Sequence, residues 1–363
     1  MIIPSRSFSC FTVTLCLAQA LFPVYSLQTL SPSTTLYSIQ NLDKKSTALD
    51  VLKTLNTNDG ALAPYVKNGG GTAVVTGGNS GIGVVSVETL ALAGMKVVLC
   101  ARDKEAGEKM LDEMKMTNGA KKNIRVQVLD LADLESVNNA AKDIMEVEGS
   151  IDVLLNNAGV MATPNREETK QGFELQLGTN HVGHHMFTRL LLPNIKQGGR
   201  VVTVASTAHT FGSLDMKDLS YSKDRIYTPW GAYGQSKLAN ILFAKGLDDR
   251  LKGSKTDISS LSLHPGVIST NLWQYSPWFF KPFASLMADK SVEQGAATSM
   301  FCCLANCDFE EFGISGGDYV MDCQVSTPNE SGQDKDGKLR NQLWEETEDL
   351  IKKAGFDLPQ NLI

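Results

Sequence analysis

Residues 72–83 read TAVVTGGNSGIG, and the fold follows from them. Thr72 to Thr76 is a short apolar run suited to a buried strand. Gly77, Asn79, Ser80, Gly81, Ile82 and Gly83 then form a glycine turn, and Ile82 to Ala93 reads as a helix that Gly94 stops. Strand, turn and helix in this order hold free helix N–H groups and a partial positive charge beyond the strand end, where phosphate binds. The spacing is G-x-x-x-G-x-G, not G-x-G-x-x-G. Gly77 permits the tight turn, Gly81 lets backbone approach a pyrophosphate, and Gly83 allows close helix packing.

The pattern continues outward. Lys96–Cys100, Ile124–Leu129, Ile151–Leu155, Arg200–Ala205 and Ile258–Leu263 read as strands. Lys104–Lys115, Leu134–Glu146, Phe173–Leu192 and Tyr233–Leu251 read as helices. Apolar strands alternating with helices predict an α/β fold, a Rossmann-type doubly wound parallel sheet in a single domain. The expected boundaries are a targeting extension over 1–45, a helix and loop over 46–70, the sheet domain over 71–325, and a polar loop with an amphipathic helix over 326–363.

Composition excludes several classes. The chain has 363 residues, 42% of them hydrophobic and 20% charged, as an ordinary globular protein has. A net charge of -6 gives no reason to expect nucleic acid as a partner. Seven scattered Cys fit neither a disulfide framework nor a zinc knuckle.

The amino end is distinct. Arg6 precedes an apolar stretch, Phe11 to Leu17, and then Ala18-Gln19-Ala20, the layout of a secretory signal peptide. Residues 21–42 continue uncharged and rich in Ser, Thr and Leu, which suits routing to an endomembrane or a complex plastid. The competing reading is an uncleaved anchor, for which Phe11–Leu27 is short.

Ligands of a parallel sheet bind at the carboxyl ends of its strands. The second strand ends at Cys100-Ala101-Arg102-Asp103. An acid there binds a free ribose 2′-hydroxyl, and an Arg accommodates a 2′-phosphate; Arg102 is the better placed, so NADP(H) is expected over NAD(H). Asp130, past the third strand, is a candidate for the adenine amino group, with Leu131 packing nearby.

Ala-Tyr233-Gly-Gln-Ser-Lys237 carries the chemistry. Reducing a carbonyl needs a proton donor at its oxygen, which Tyr233 can be. A cation at i+4 on the same helix face favours the phenolate, and Lys237 stands there. Together with TGGNSGIG, Asn156-Asn157-Ala158-Gly159, Asn180, Ser206 and Pro265-Gly266, this order resembles the short-chain dehydrogenase/reductase superfamily over residues 70–325. GTNHVGHHMFT (178–188), VVTVASTAH (201–209), AYGQSKLANILFAK (232–245) and GDYVMDC (317–323) resemble its retinol-dehydrogenase-like branch, which includes a plant chloroplast-envelope member. The resemblance implies that Lys237 also binds the nicotinamide ribose, that Ser206 holds the substrate oxygen near Tyr233, and that Asn180 anchors a water leading from Lys237. It implies that Asn157, Ala158 and Gly159 line the cofactor cleft, that Pro265 and Gly266 belong to the cofactor site, and that Val267 and Thr270 meet the nicotinamide carboxamide or the pyrophosphate. The resemblance allows a homodimer, since relatives are often dimers or tetramers through their long helices, and no pattern in the chain itself sets the oligomeric state.

His181, His184 and His185 share a helix face but lack a carboxylate or Cys partner, so packing is expected and no metal. Ser206, His209 and Asp215 lack the G-x-S-x-G elbow of a hydrolase. Residues 207–231 and 271–289 should wall the substrate side. The second is rich in aromatics (Trp273, Tyr275, Trp278, Phe279, Phe280, Phe283), which implies an apolar pocket or a membrane-resting surface. The expected reaction is hydride transfer between NADP(H) and an apolar carbonyl/alcohol pair such as a retinoid, steroid, lipid aldehyde or quinone. The alternatives are a light-dependent tetrapyrrole reductase and an NADP(H)-sensing subunit of a membrane complex.

Overall fold

The computed structural model describes residues 41–68, 70–222, 225–268, 289–307 and 312–360. The targeting reading, Thr270 and nearly all of the aromatic stretch lie outside the described residues. Eight strands form one sheet: β1 (Thr72–Thr76), β2 (Lys96–Ala101), β3 (Ile124–Val128), β4 (Ile151–Asn156), β5 (Ile195–Val204), β6 (Ser259–His264), β7 (Tyr319–Met321) and β8 (Gln324–Ser326). Their order is β3-β2-β1-β4-β5-β6-β7-β8. All neighbours are parallel except β7 and β8. The order reverses between β1 and β4, where a doubly wound sheet opens its ligand crevice.

Alternation within the strands explains the layers. Val75, Leu99, Leu155 and Val202 face one core, and Val74, Val98, Leu154 and Val201 face the other. Over the first face lie α1 (Ala48–Thr57), α2 (Ile82–Leu92) and α3 (Val292–Leu304). Over the second lie α4 (Leu134–Glu148), α5 (Gly183–Leu191), α6 (Pro229–Gly253) and α7 (Lys338–Lys353). Burying both faces makes every residue of β1 and β4 inaccessible.

Both ends of the described chain join these cores. Thr47 and Asp50 form a capping box that starts α1, and α1 buries Val51, Leu52 and Leu55. Leu42, just before it, is 4% exposed in the same core. Helix α7 packs on α6 through Leu343, Trp344 and Ile351. Trp344 stacks on Phe243 with ring centres 5.8 Å apart.

Three elements differ from the sequence reading. The helix expected over 173–192 starts at Leu175 and carries a π-turn over Gly178–Val182 before α5. β5 begins five residues early, at Ile195. Helix α6 starts at Pro229, because a proline with no N–H and a fixed φ suits a first helical turn. Among the described residues no helix is long and apolar enough to cross a membrane.

Candidate active site

A cleft of about 680 Å³ lies at the carboxyl end of the sheet. Its floor begins at the glycine turn. Gly77 has φ 64 and Gly81 φ 54, a left-handed backbone that side chains resist. A Cβ on Gly83 would lie 2.1 Å from the Gly77 carbonyl oxygen, so α2 touches the turn directly. Gly83 therefore sits behind the cleft wall, while Gly77, Asn79, Ser80, Gly81 and Ile82 line it. No side chain caps the start of α2, which leaves its amino end facing the cleft.

Thr76 ties this floor to the catalytic side. Its Oγ1 accepts from the backbone N–H of Asn157 and of Ala158, both at 2.9 Å. It lies 2.8 Å from His184 Nε2. His184 Nδ1 lies 3.0 Å from the Asn180 carbonyl, which can only accept. The proton therefore sits on Nδ1, and Nε2 accepts from the Thr76 hydroxyl. Burial lowers the imidazole's pKa to about 4, so the network stays neutral. The side chain of Asn180 clamps Val160, accepting from its N–H at 2.8 Å and donating to its carbonyl at 2.9 Å. Asn180 lies behind the cleft wall, and its amide also donates to Ser236 Oγ at 2.9 Å. His181 meets Thr347 Oγ1 at 3.0 Å, and His185 packs on Trp344 with ring centres 4.6 Å apart. His184 is thus held by hydrogen bonds at both nitrogens and His181 at one, while His185 is held by packing, with Glu348, a carboxylate neighbour the sequence did not reveal, 3.7 Å from its Nε2.

At the adenosine end, Ala101, Arg102, Asp103, Asp130 and Leu131 line the cleft. One oxygen of Asp103 accepts from Ala106 N–H at 2.7 Å and caps the helix Lys104–Glu113. Arg102 is exposed and has no hydrogen bond or ion pair among the described residues. One oxygen of Asp130 accepts from Ala132 N–H at 2.9 Å, leaving the other free toward the cleft.

At the opposite end, α6 brings Tyr233 and Lys237 beside Ser206, which follows β5 by two residues. Ser206 Oγ accepts from Ala208 N–H at 3.1 Å, which leaves its own proton to donate. Burial pushes the Tyr233 phenol up to about 12, and the hydrogen bond with Ser206 draws it partly back. The expected influence of Lys237 on the phenol is not the dominant one in the chain alone. Its Nζ is turned to the Val204 carbonyl at 2.9 Å and lies 5.6 Å from the phenol ring centre. Burial lowers the Lys237 ammonium to about 8. A Cβ on Gly159 would lie 3.1 Å from Asn180 Oδ1 and 3.6 Å from Lys237 Nζ, so the backbone of 157–159 closes on this corner.

Pro265, Gly266 and Val267 form the remaining wall. Gly266 has φ 97, and a Cβ there would strike the Lys290 side chain at 2.5 Å. Lys290 is buried and paired with Asp322 at 2.5 Å. Around the phenol the cleft is apolar. Met161, Ala162 and Ala208 form a buried cluster with Tyr233, and Phe211 and Trp230 stand at the rim. Phe211 is 73% exposed and Trp230 37%. Thr76 and His184, which scaffold the site, escaped the sequence reading as site residues, although both lie inside motifs it quoted. The cradle of close glycines, the uncapped helix and the unpaired Arg102 fit a dinucleotide laid from Arg102 to Tyr233.

Residues 71–277 match the model of the short chain dehydrogenase family. The chain belongs to that family, and to its retinol-dehydrogenase-like branch. It is 37% identical to human (Homo sapiens) retinol dehydrogenase 11 over 299 residues, covering 81% of this chain and 90% of that protein. It is 36% identical to mouse (Mus musculus) polyprenol dehydrogenase over 297 residues, covering 79% and 86%. The crystal structure of a short chain dehydrogenase from Burkholderia cenocepacia in complex with NADP shares the fold, with a TM-score of 0.54 at 21% identity, over 70% of this chain and 96% of that one. The protein is an oxidoreductase of alcohols and carbonyls.

Proposed function

We propose that the protein interconverts an apolar alcohol and its aldehyde or ketone with NADP(H), using Tyr233 as general acid and base. The observation that carries this reading is the buried Tyr233 phenol beside Ser206 in an apolar-walled cleft whose far end presents Arg102. The nicotinamide, when bound, supplies or takes the hydride. The chain's residues do the rest. Ser206 donates its free proton to the substrate oxygen and holds it at the phenol. Tyr233, protonated near neutral pH, gives its proton to that oxygen as it gains negative charge. The Lys237 ammonium, one turn along α6, stabilises the phenolate left behind. Met161, Ala208, Phe211 and Trp230 exclude water and grip apolar substrate. Retinol and polyprenol, the alcohols in the relatives' names, are of that class. With one oxygen of Asp103 engaged as a helix cap, the exposed guanidinium of Arg102 supports a 2′-phosphate over a 2′-hydroxyl.

NADPH oxidation against retinal, lipid aldehydes, steroid ketones and quinones tests the reading. Tyr233→Phe should lower kcat on the order of a hundredfold to ten-thousandfold. Equal rates in wild type and variant would end the proposal. Arg102→Ala should raise KM for NADPH by at least about tenfold and leave NADH unchanged; parallel changes would retire NADP(H) preference. The charge-poor amino end supports routing through the secretory pathway, which a fluorescent reporter fused to residues 1–45 would follow.

A further inference from the structure

His209 lies three residues beyond Ser206 and is 3% exposed. Its ring does not face the Ser206 hydroxyl. Nδ1 lies 2.6 Å from the Ser206 carbonyl oxygen, which can only accept. Nε2 receives the backbone N–H of Asn329 at 3.1 Å, which can only donate. One neutral tautomer satisfies both contacts, with the proton on Nδ1 and a lone pair on Nε2. The same Ser206 carbonyl also accepts the His209 backbone N–H at 3.1 Å, so this residue holds the serine's peptide twice.

The far side of the contact is anchored as well. The Asn329 side chain caps the turn Glu330–Gln333 through Gly332 N–H at 2.9 Å. The Gln333 amide donates to the Pro328 carbonyl at 3.0 Å. The Gln333 carbonyl accepts from Lys245 Nζ at 3.2 Å, and Lys245 stands on α6, the helix of Tyr233 and Lys237. A closed loop of contacts therefore runs from α6 through Lys245, Gln333, Asn329 and His209 to Ser206. It joins Ser206 to the helix that carries Tyr233, about three turns before Lys245. The ring of Tyr319 packs edge-on against the imidazole with centres 5.5 Å apart, which restrains its tilt.

We propose that His209 is a positioning residue, and that the Asn329 N–H selects the tautomer by which it fixes Ser206 against Tyr233. Its effect on turnover rests on the roles of Ser206 and Tyr233 proposed above.

Two measurements on the full chain test this. Long-range proton–nitrogen spectra of isotope-labelled imidazoles should show His209 protonated at Nδ1 and bare at Nε2. A proton on Nε2 overturns the assignment. Reduction of all-trans-retinal by NADPH should then separate two amide replacements. His209→Asn keeps a donor at the place of Nδ1 and should hold kcat within about threefold, whereas His209→Gln loses it and should drop kcat on the order of tenfold to a hundredfold at unchanged KM for NADPH. Equal kcat in the two variants overturns the proposal. Should wild type leave retinal untouched, that substrate fails, and the backbone amide resonance of Ser206 decides the positioning claim. It should stay in place in His209→Asn and move in His209→Gln; a resonance unmoved in both overturns it.

Discussion

Acidification asks five buried imidazoles to take up protons they have no room for. His181, His184, His185, His209 and His264 are all buried, and burial holds each below its ordinary value of 6.5. For His184 and His264 the folded value is about 4. A folded pKa below the unfolded one means the unfolded chain binds protons first. The stability tied to these groups is therefore complete above about pH 6.5 and is lost as pH falls toward about 4. At about pH 4.5 each of the two costs about 2–3 kcal/mol, so the pair costs about 5 kcal/mol. That is comparable to the whole stability of a marginal domain, roughly 5–15 kcal/mol. Within the window the two groups give a slope of about 3 kcal/mol per pH unit. Urea midpoints at a series of pH values measure it together with the share of the other three imidazoles, and His184→Gln should remove one imidazole's share, on the order of 1 kcal/mol per pH unit. A midpoint flat from about pH 7 to about pH 4.5 would refute the argument.

Two further substitutions probe the scaffold. Thr76→Val keeps the shape of β1 but strips the partner from the N–H groups of Asn157 and Ala158 and from His184 Nε2; it should cost about 2–4 kcal/mol by urea denaturation. Gly83→Ala drives a methyl to 2.1 Å from the Gly77 carbonyl, so it should weaken NADPH binding, read by quenching of protein fluorescence, more than it lowers the melting temperature.

What the sequence made legible was local. The glycine turn, the i+4 pair of Tyr233 and Lys237 and the alternating strands are each written within a dozen residues, so period and spacing reveal them. Arg102 was legible because a strand end is a fixed place in this topology. What stayed hidden depends on distant pairings. Thr76 and His184 are 108 residues apart, and His209 and Asn329 are 120 apart. No spacing rule links such positions; only the closed sheet brings them together. The π-turn at Gly178–Val182 was hidden for another reason: it keeps the apolar pattern of a helix while changing its hydrogen bonds. The phenol's value near 12 was hidden too, because i+4 spacing says nothing of burial or of the pull of Val204 on Lys237.

Leu42 and α1 set a limit at the amino end. Leu42 is buried beside a helix that packs on α3, and Gln294 of α3 reaches back to the Lys45 carbonyl at 3.0 Å. Removing Leu42 would open that apolar layer to water, so from residue 42 onward the chain belongs to the folded body and is not a detachable tail.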